Sequence, residues 1–416
     1  MGCCRGFLQI VSFSLQKYTL ILKWFAEFDF IFAQQKRPMS LFLFWLFFGI
    51  GILIQAIYLL VIFGKTAFYS GNTPQSTSRN EEGVTVVICA HNEFGNLKTL
   101  IPKLFEQDYP IFDVMIVNDR SSDRTKRLLE KMMESFPKLR SVTIKYTPPH
   151  CTAKKYALTL GIKVAKHDVM LLTDADCLPE TNQWIRKMTA PVRNQGKTFA
   201  VGFSGYEHKP GFLNNWIQFE TLLTALYYIS FGLWKKPFMG IGRNLCYRKD
   251  FFMNAKAFKG LWHIEGGDDD LFLNQYASGQ NTAIVLDPEA TTISKPKETR
   301  KEYLIQKKRH LHVGKYYRGS DKRKIGLYSF SHALFWIGGI ALLIYLGLAQ
   351  SWEQFSIVFG IILLRSILLT VIFKAAEKKI QGTKPPKNIW MLDFLYLGYF
   401  WILGTISHQA KDIQWK

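Results

Sequence analysis

Residues 41–63 run LFLFWLFFGIGILIQAIYLLVIF, with no charge and one amide, Gln55, in 23 positions. At 1.5 Å per residue a helix of that length covers about 34 Å, enough to cross a hydrocarbon core of roughly 30 Å. A signal-peptide core is shorter and ends in a small-residue cleavage site, which does not follow here, so the pattern predicts a transmembrane anchor. Further apolar runs occupy 328–349, 355–373 and 390–406, with Arg365 inside the second and Asp393 near one end of the third. The first two are expected to span a membrane. The third is expected either to span it or to lie along the interface.

Between these runs the period changes. Polar residues 75–82 (QSTSRNEE) read as a linker, and beyond them short β-branched runs appear at 84–90, 113–118, 142–146, 168–173, 199–203 and 283–286. Helical patterns separate the early ones, at 95–107, 122–136, 153–166 and 181–194. Alternation of this kind predicts an α/β domain, a mostly parallel sheet with helices on both faces. Residues 211–234 are apolar and aromatic but mixed, which suits either an interfacial helix or a buried helix of the domain. The expected organisation is an N-terminal extension 1–40, an anchor 41–63, a domain 82–320 and a C-terminal membrane region 328–410 of two or three helices.

Composition narrows the function classes. With 48% apolar residues in 416, the chain can bury a large core and is not disordered. Six scattered cysteines without a CxxC pair suggest free thiols rather than a disulfide framework. The 53 Lys+Arg against 32 Asp+Glu give a formal charge of +21, which fits an acidic membrane face or a phosphorylated substrate. Many of these charges flank the apolar runs: Lys322, Arg323 and Lys324 before 328–349, and Lys374, Lys378, Lys379, Lys384 and Lys387 after 355–373. By the positive-inside rule both flanks, and with them the domain, face the cytoplasm, and no nucleic-acid partner is implied. Residues 1–40 then lie outside while carrying Arg5, Lys17, Lys23, Lys36 and Arg37. Either residues 7–33 form an interfacial helix, or Met39 is the true start.

In parallel sheets ligands bind at the carboxyl ends of the strands. Ala90-His91-Asn92-Glu93 follows the first strand, Asn118-Asp119-Arg120-Ser121-Ser122-Asp123 the second, and Asp174-Ala175-Asp176 the fourth. Two carboxylates two residues apart at a strand end can hold one hard cation and, through it, a diphosphate. Glu265-Gly266-Gly267-Asp268-Asp269-Asp270 packs four carboxylates into six residues. That charge is costly unless offset, and it suits a general base assisted by a neighbouring acid, or else a solvated helix start. Basic stretches stand ready to answer it: Lys154-Lys155, Gly240–Lys249 with Arg243 and Asn244, and Gln306–His310.

In this order the motifs resemble family 2 glycosyltransferases of the GT-A fold, over about residues 82–315. The resemblance implies that Glu93 and Asp119 hold the base and ribose of a nucleotide, with Lys154 and Asp174 also on the nucleotide-sugar side. It implies that Asp176, with Asp174, ligates Mg2+ or Mn2+ on the diphosphate. Asp269 falls on the base position with Asp268 beside it, Gln306 and Arg309 clamp the leaving diphosphate, and Arg243, Asn244 and His310 face the acceptor. Three positions depart from the family pattern: Asn118 stands for an acid, Arg120 for a glycine and His310 for a tryptophan. The expected function is a membrane-anchored inverting transferase in the cytoplasmic membrane. It moves sugar from a nucleotide-diphosphate sugar, expected to be UDP-linked, to a lipid or glycan acceptor, in contact with membrane lipids. The alternatives are a processive polysaccharide synthase, which usually carries more spans, and a non-catalytic sugar-nucleotide-binding membrane subunit.

Overall fold

The computed structural model describes residues 39–71, 81–256, 258–380 and 384–409. Both readings of residues 1–38 therefore fall outside it. The chain separates into two compact units, one of residues through Ala56 with Leu327–Arg365, the other of Ile57–Gly326 with Ser366–Lys416.

Among the described residues four helices are long and apolar enough to cross a membrane: Leu41–Ala67, Gly319–Leu348, Trp352–Ile380 and Ile389–Ser407. The first comprises α1 (Met39–Ala56), a π-helical stretch Ile57–Phe63 and a last turn, α2 (Gly64–Ala67). In the smaller unit, close approach rests on glycine: a Cβ at Gly51 would lie 2.7 Å from the Phe335 backbone nitrogen. Phe48 and Phe335 stack at 5.5 Å beside it. The intramembrane Arg365 is buried and donates from Nη2 to Gln55 Oε1 at 2.5 Å, while Gln55 Nε2 donates to Ser331 Oγ at 2.9 Å. Two of the polar side chains that interrupt the apolar pattern thus bond to each other.

The larger unit holds the α/β domain. Its strands and helices begin β1 (Val84–Ala90), α3 (Phe94–Phe105), β2 (Phe112–Asp119), α4 (Thr125–Ser135), β3 (Leu139–Ile144), α5 (Ala153–Val164) and β4 (Val169–Leu172). They continue with β5 (Cys177–Pro179), α6 (Trp184–Asn194), β6 (Phe199–Val201), β7 (Ser204–Tyr206), α7 (Phe212–Leu233), β8 (Leu245–Arg248) and α8 (Lys249–Asn254). The last are α9 (Asp270–Tyr276), β9 (Thr282–Ile284), β10 (Thr292–Ser294) and α10 (Arg300–Val313), and the long helices follow as α11 (Gly319–Leu348), α12 (Trp352–Ile380) and α13 (Ile389–Gln409).

Seven strands form the main sheet in the order β3-β2-β1-β4-β8-β6-β9. Pairing is parallel from β3 through β4 and antiparallel on both sides of β8. Because β2 is buried along its whole length, its central run VMIV is apolar without alternation, as a strand covered on both faces requires. The order reverses between β1 and β4, and the carboxyl ends of these two strands open the crevice where a ligand can enter. A second, three-stranded sheet, β5-β10-β7, lies beyond β4.

α7 settles the choice left open for 211–234: 16 of its 22 residues are buried, so it is an internal helix of this unit. Phe63, just before α2, meets Tyr227 of α7 edge-on at 5.4 Å, and Thr66 Oγ1 lies 2.7 Å from Ser230 Oγ. α13 packs against α7 and α10, with Tyr399 5.0 Å from Trp216 and its hydroxyl 3.2 Å from that of Tyr303.

Candidate active site

The loop after β1 is built around Asn92, whose backbone is left-handed (φ 58°). Its Oδ1 accepts from the amides of Ser122 (2.8 Å) and Asp123 (3.3 Å), and its own amide donates to Ser121 Oγ at 3.0 Å. Asp123 returns the contact, accepting from the amides of Phe94 and Thr125. The ends of β1 and β2 are thereby locked side by side. Glu93 stands at this edge with its amide on Thr125 Oγ1 (3.0 Å) and its carboxylate accepting from Asn96 Nδ2 (2.7 Å).

Asp119 is buried, and both of its oxygens are held by the adjacent Arg120, at 2.8 and 3.2 Å. Arg120 adopts φ 52°, the left-handed turn that a glycine would take without strain, and in doing so folds its guanidinium back onto Asp119. A nucleotide meeting Asp119 must share or displace that contact.

At the end of β4, oxygens of Asp174 and Asp176 and the sulfur of Cys177 lie within 4.8 Å of one another. Burial first, and then the two carboxylates, push the Cys177 thiol well above its usual range, and it lies 2.7 Å from Ser294 Oγ. Of the three, the two carboxylates are the hard oxygen donors that Mg2+ or Mn2+ prefers over sulfur. Burial and Asp174 raise Asp176, with Arg243 opposing. Asp174 and Asp176 are both half-buried and would suit a hard cation.

Lys154, in the first turn of α5, joins this site to the acidic cluster. Its ammonium lies 3.0 Å from Asp174 Oδ1 and 3.2 Å from Asp268 Oδ2. Burial would raise Asp268, but Lys154 and Lys155 outweigh it and hold the carboxyl below its usual value. The other two acids differ. Asp269 is half-buried, and its oxygens accept from the amides of Gly242 (2.5 Å) and Asp270 (2.8 Å). Asp269 caps α9, the role that a solvated helix start left open, and burial with the Asp268 charge raises it. Asp270 accepts from the Tyr317 hydroxyl at 2.6 Å, and burial together with Asp269 pushes it up to about 8.

The acceptor-side expectations divide. Asn244 has no exposed surface: Nδ2 donates to the carbonyls of Phe203 and Ala290, each at 2.7 Å, and Oδ1 accepts from Trp184 Nε1 at 3.0 Å. It ties three segments together and cannot touch an acceptor. Arg243 lies over the Tyr206 ring at 4.3 Å and donates to Ser204, Gly205 and Ser294, behind the Asp174–Asp176 turn. His310 remains accessible. Desolvation by its neighbours and the charges of Lys307, Arg309, Arg243 and Lys154 hold its imidazole well below the usual value, hence neutral at pH 7.

On α10, Gln306 Nε2 donates to Tyr206 Oη at 3.5 Å, and Arg309 lies against Gly266, where a Cβ would approach its Cγ to 3.6 Å. Arg309 therefore packs on the turn that leads into Asp268, and Gln306 reaches the tyrosine that Arg243 covers. α10 is fixed from behind by the buried Lys307–Glu220 ion pair, and His312 Nδ1 lies 3.2 Å from the Ser407 carbonyl. Sequence reasoning missed this anchoring, because Glu220 sits in an otherwise apolar helix and only burial pairs it with Lys307.

Residues 85–255 match the sequence model of the glycosyl transferase family 2. The chain carries a glycosyltransferase family 2 domain. Among curated relatives, a probable glycosyltransferase of Bacillus subtilis, YdaM, is 33% identical over 100 residues, 23% of each chain. The poly-beta-1,6-N-acetyl-D-glucosamine synthase of Staphylococcus aureus is 28% identical over 133 residues, 32% of this chain and 31% of the synthase. These matches span about a quarter to a third of the relatives' length. Among solved structures, the mannosyltransferase PcManGT from Pyrobaculum calidifontis, in complex with GDP-Man and Mn2+, aligns with TM-score 0.55 at 15% identity. That alignment covers 88% of this chain and 100% of the other, and it identifies the fold as GT-A. Lys154 and the Asp174–Asp176 turn lie inside the matched stretch, and Asp268 and Arg309 lie beyond it.

Proposed function

We propose that this chain is a membrane-anchored inverting glycosyltransferase that moves a sugar from a nucleotide-diphosphate sugar, UDP-linked, to a hydroxyl of a lipid or glycan acceptor. The domain faces the cytoplasm in this reading, as the basic flanks of the membrane helices favour. The observation that carries the reading is Lys154, whose one ammonium joins Asp174 of the cation turn to Asp268 of the acidic cluster. It brings a donor-binding group and a proton acceptor to one point at the switch in strand order.

Glu93 and Asp119 line the nucleotide end, with Arg120 giving up Asp119 on binding. Asp174 and Asp176 would hold Mg2+ or Mn2+, whose charge would offset that of the diphosphate; PcManGT was solved with Mn2+. Asp268, ionised at neutral pH, takes the proton of the acceptor hydroxyl as the new bond forms at the anomeric carbon and the bond to diphosphate breaks. Asp268 is preferred to Asp269 because both Asp269 oxygens are committed to backbone amides. Arg309 and Lys154 balance the charge gathering on the leaving diphosphate. Gln306 and His310 border the crevice, the neutral His310 imidazole toward the acceptor.

Activity in isolated membranes should vanish with a chelator and return with Mn2+ or Mg2+, and Asp176→Asn should weaken nucleotide-sugar binding. Full activity in chelator would make the two carboxylates structural. The match to a polysaccharide synthase supports a second reading, in which the chain adds many sugars; product length separates the two. A subunit that binds sugar nucleotides without reacting would bind the donor and release no nucleoside diphosphate.

A further inference from the structure

Lys155 is 1% exposed, yet no carboxylate meets its ammonium at ion-pair distance among the described residues. Its Nζ donates instead to two backbone carbonyls, Ile264 at 2.5 Å and Gly266, and lies 5.9 Å from the Phe258 ring centre. Burying an ammonium is costly, and here burial depresses its pKa although Asp268 and its acidic neighbours oppose the shift. A surface lysine carries no such cost, so the contact needs a compensating role.

The carbonyls it grips belong to the stretch 258–267, which contains no helix or strand and leads directly into Asp268. The same helix start makes a second tie, the Thr152 amide donating to the Trp262 carbonyl at 2.8 Å. From the other side α10 closes on the turn. Gly266 and Gly267 are both left-handed (φ 78° and 73°), and a Cβ on Gly266 would come within 3.1 Å of Val313. Successive lysines of α5 therefore do different work. Lys154 meets the carboxylate of Asp268, and Lys155 fixes the backbone from which that carboxylate projects.

We propose that Lys155 is a positioning residue for the acceptor-activating base: by holding the Ile264 and Gly266 carbonyls it sets the Gly266–Gly267 turn that aims Asp268 at the acceptor hydroxyl. The proposal rests on the transferase reading above. Small displacements of a reacting group are expensive, with about 1 Å costing on the order of 100-fold in rate.

The test uses the full-length chain in membranes or detergent, with Lys155→Met, which keeps the stem and removes the donors. The expected result is a fall in kcat of about 10–100-fold with the donor KM within about twofold of wild type. Amide hydrogen exchange should speed up in 258–267 and stay unchanged in β1 and β2. Thr152→Pro removes the second tie at a position whose φ of −74° already suits proline. It should move both readouts the same way by less, and it stands in if Lys155→Met does not fold. Wild-type kcat with wild-type exchange in 258–267 would overturn the proposal. So would a kcat loss matched by a donor KM rise and faster exchange throughout the domain, because Lys155 would then only stabilise the fold. Failure of the transferase reading looks different: wild type itself would release no nucleoside diphosphate, while exchange in Lys155→Met would still report whether Lys155 holds the loop.

Discussion

Replacing Lys154 with methionine removes the one charge that Asp174 and Asp268 share. At 3.2 Å, with an effective dielectric constant of about 20, that contact is worth about 5 kcal/mol of Coulomb energy before desolvation is subtracted. Opposite charges at this range typically move a carboxyl by about 1–3 pH units, or roughly 1.4–4 kcal/mol. Lys155 still lowers Asp268 in the variant, which places the shift in the lower part of that range. In the wild type Asp268 is held below its ordinary value, so kcat at saturating donor should be flat from about pH 5 to 7. In Lys154→Met the acid limb should move up by about 1–2 units, because the base now protonates more readily. Lys154→Arg keeps the charge and should leave the limb near its wild-type position. The assay is nucleoside-diphosphate release across pH at saturating sugar nucleotide. An acid limb in Lys154→Met indistinguishable from wild type would mean that Asp268 is not the group whose ionisation limits turnover.

Asp269→Asn should cost about 1–2 kcal/mol of stability by chemical denaturation, since it weakens the cap of α9 and the tie to Gly242, and should retain more turnover than Asp268→Asn. If Asp269→Asn is the inactive variant instead, the base assignment shifts by one residue. Asp270 is raised to about 8 in the folded chain, so the fold binds a proton there that the unfolded chain releases near pH 4. Its stabilising contribution is fully present at low pH and is lost as pH rises from about 4 through 8; Asp270→Asn should flatten the thermal midpoint over that range. Arg309→Ala should raise the Kd for the nucleoside diphosphate as well as lower kcat, and an unchanged Kd by calorimetry would remove Arg309 from the diphosphate site.

Much of the domain is legible from the sequence because β1, β2 and β4 are covered on both faces and therefore carry apolar runs without alternation, VVICA, VMIV and VMLL. β8 escapes notice. Its four residues, LCYR, lie in a segment that reads as a basic surface, although Arg248 pairs at the strand end with Glu82 and Asp168. The acidic motifs could be assigned to one edge because each follows a strand directly. Their division of labour could not, since Asp268, Asp269 and Asp270 differ only in partners from distant segments: Lys154, Gly242 and Tyr317. Asn244 illustrates the same limit. An amide beside an arginine reads as an exposed polar pair, and only the meeting of Phe203, Ala290 and Trp184 buries it. The pairing of Asp119 with Arg120 is adjacent in sequence, but its fork geometry depends on the left-handed backbone at Arg120.

The central claim is that Asp268 transfers the acceptor's proton while the donor is held by groups independent of it. Membranes containing the wild type or Asp268→Asn, supplied with a panel of sugar nucleotides, test it by mass spectrometry of the products alongside nucleoside-diphosphate release and donor binding. The wild type should add sugar mass to a lipid or glycan with equimolar nucleoside-diphosphate release. Asp268→Asn should bind the same donor with similar affinity and turn over about 10²–10⁴-fold more slowly. Equal product from the two would contradict the account.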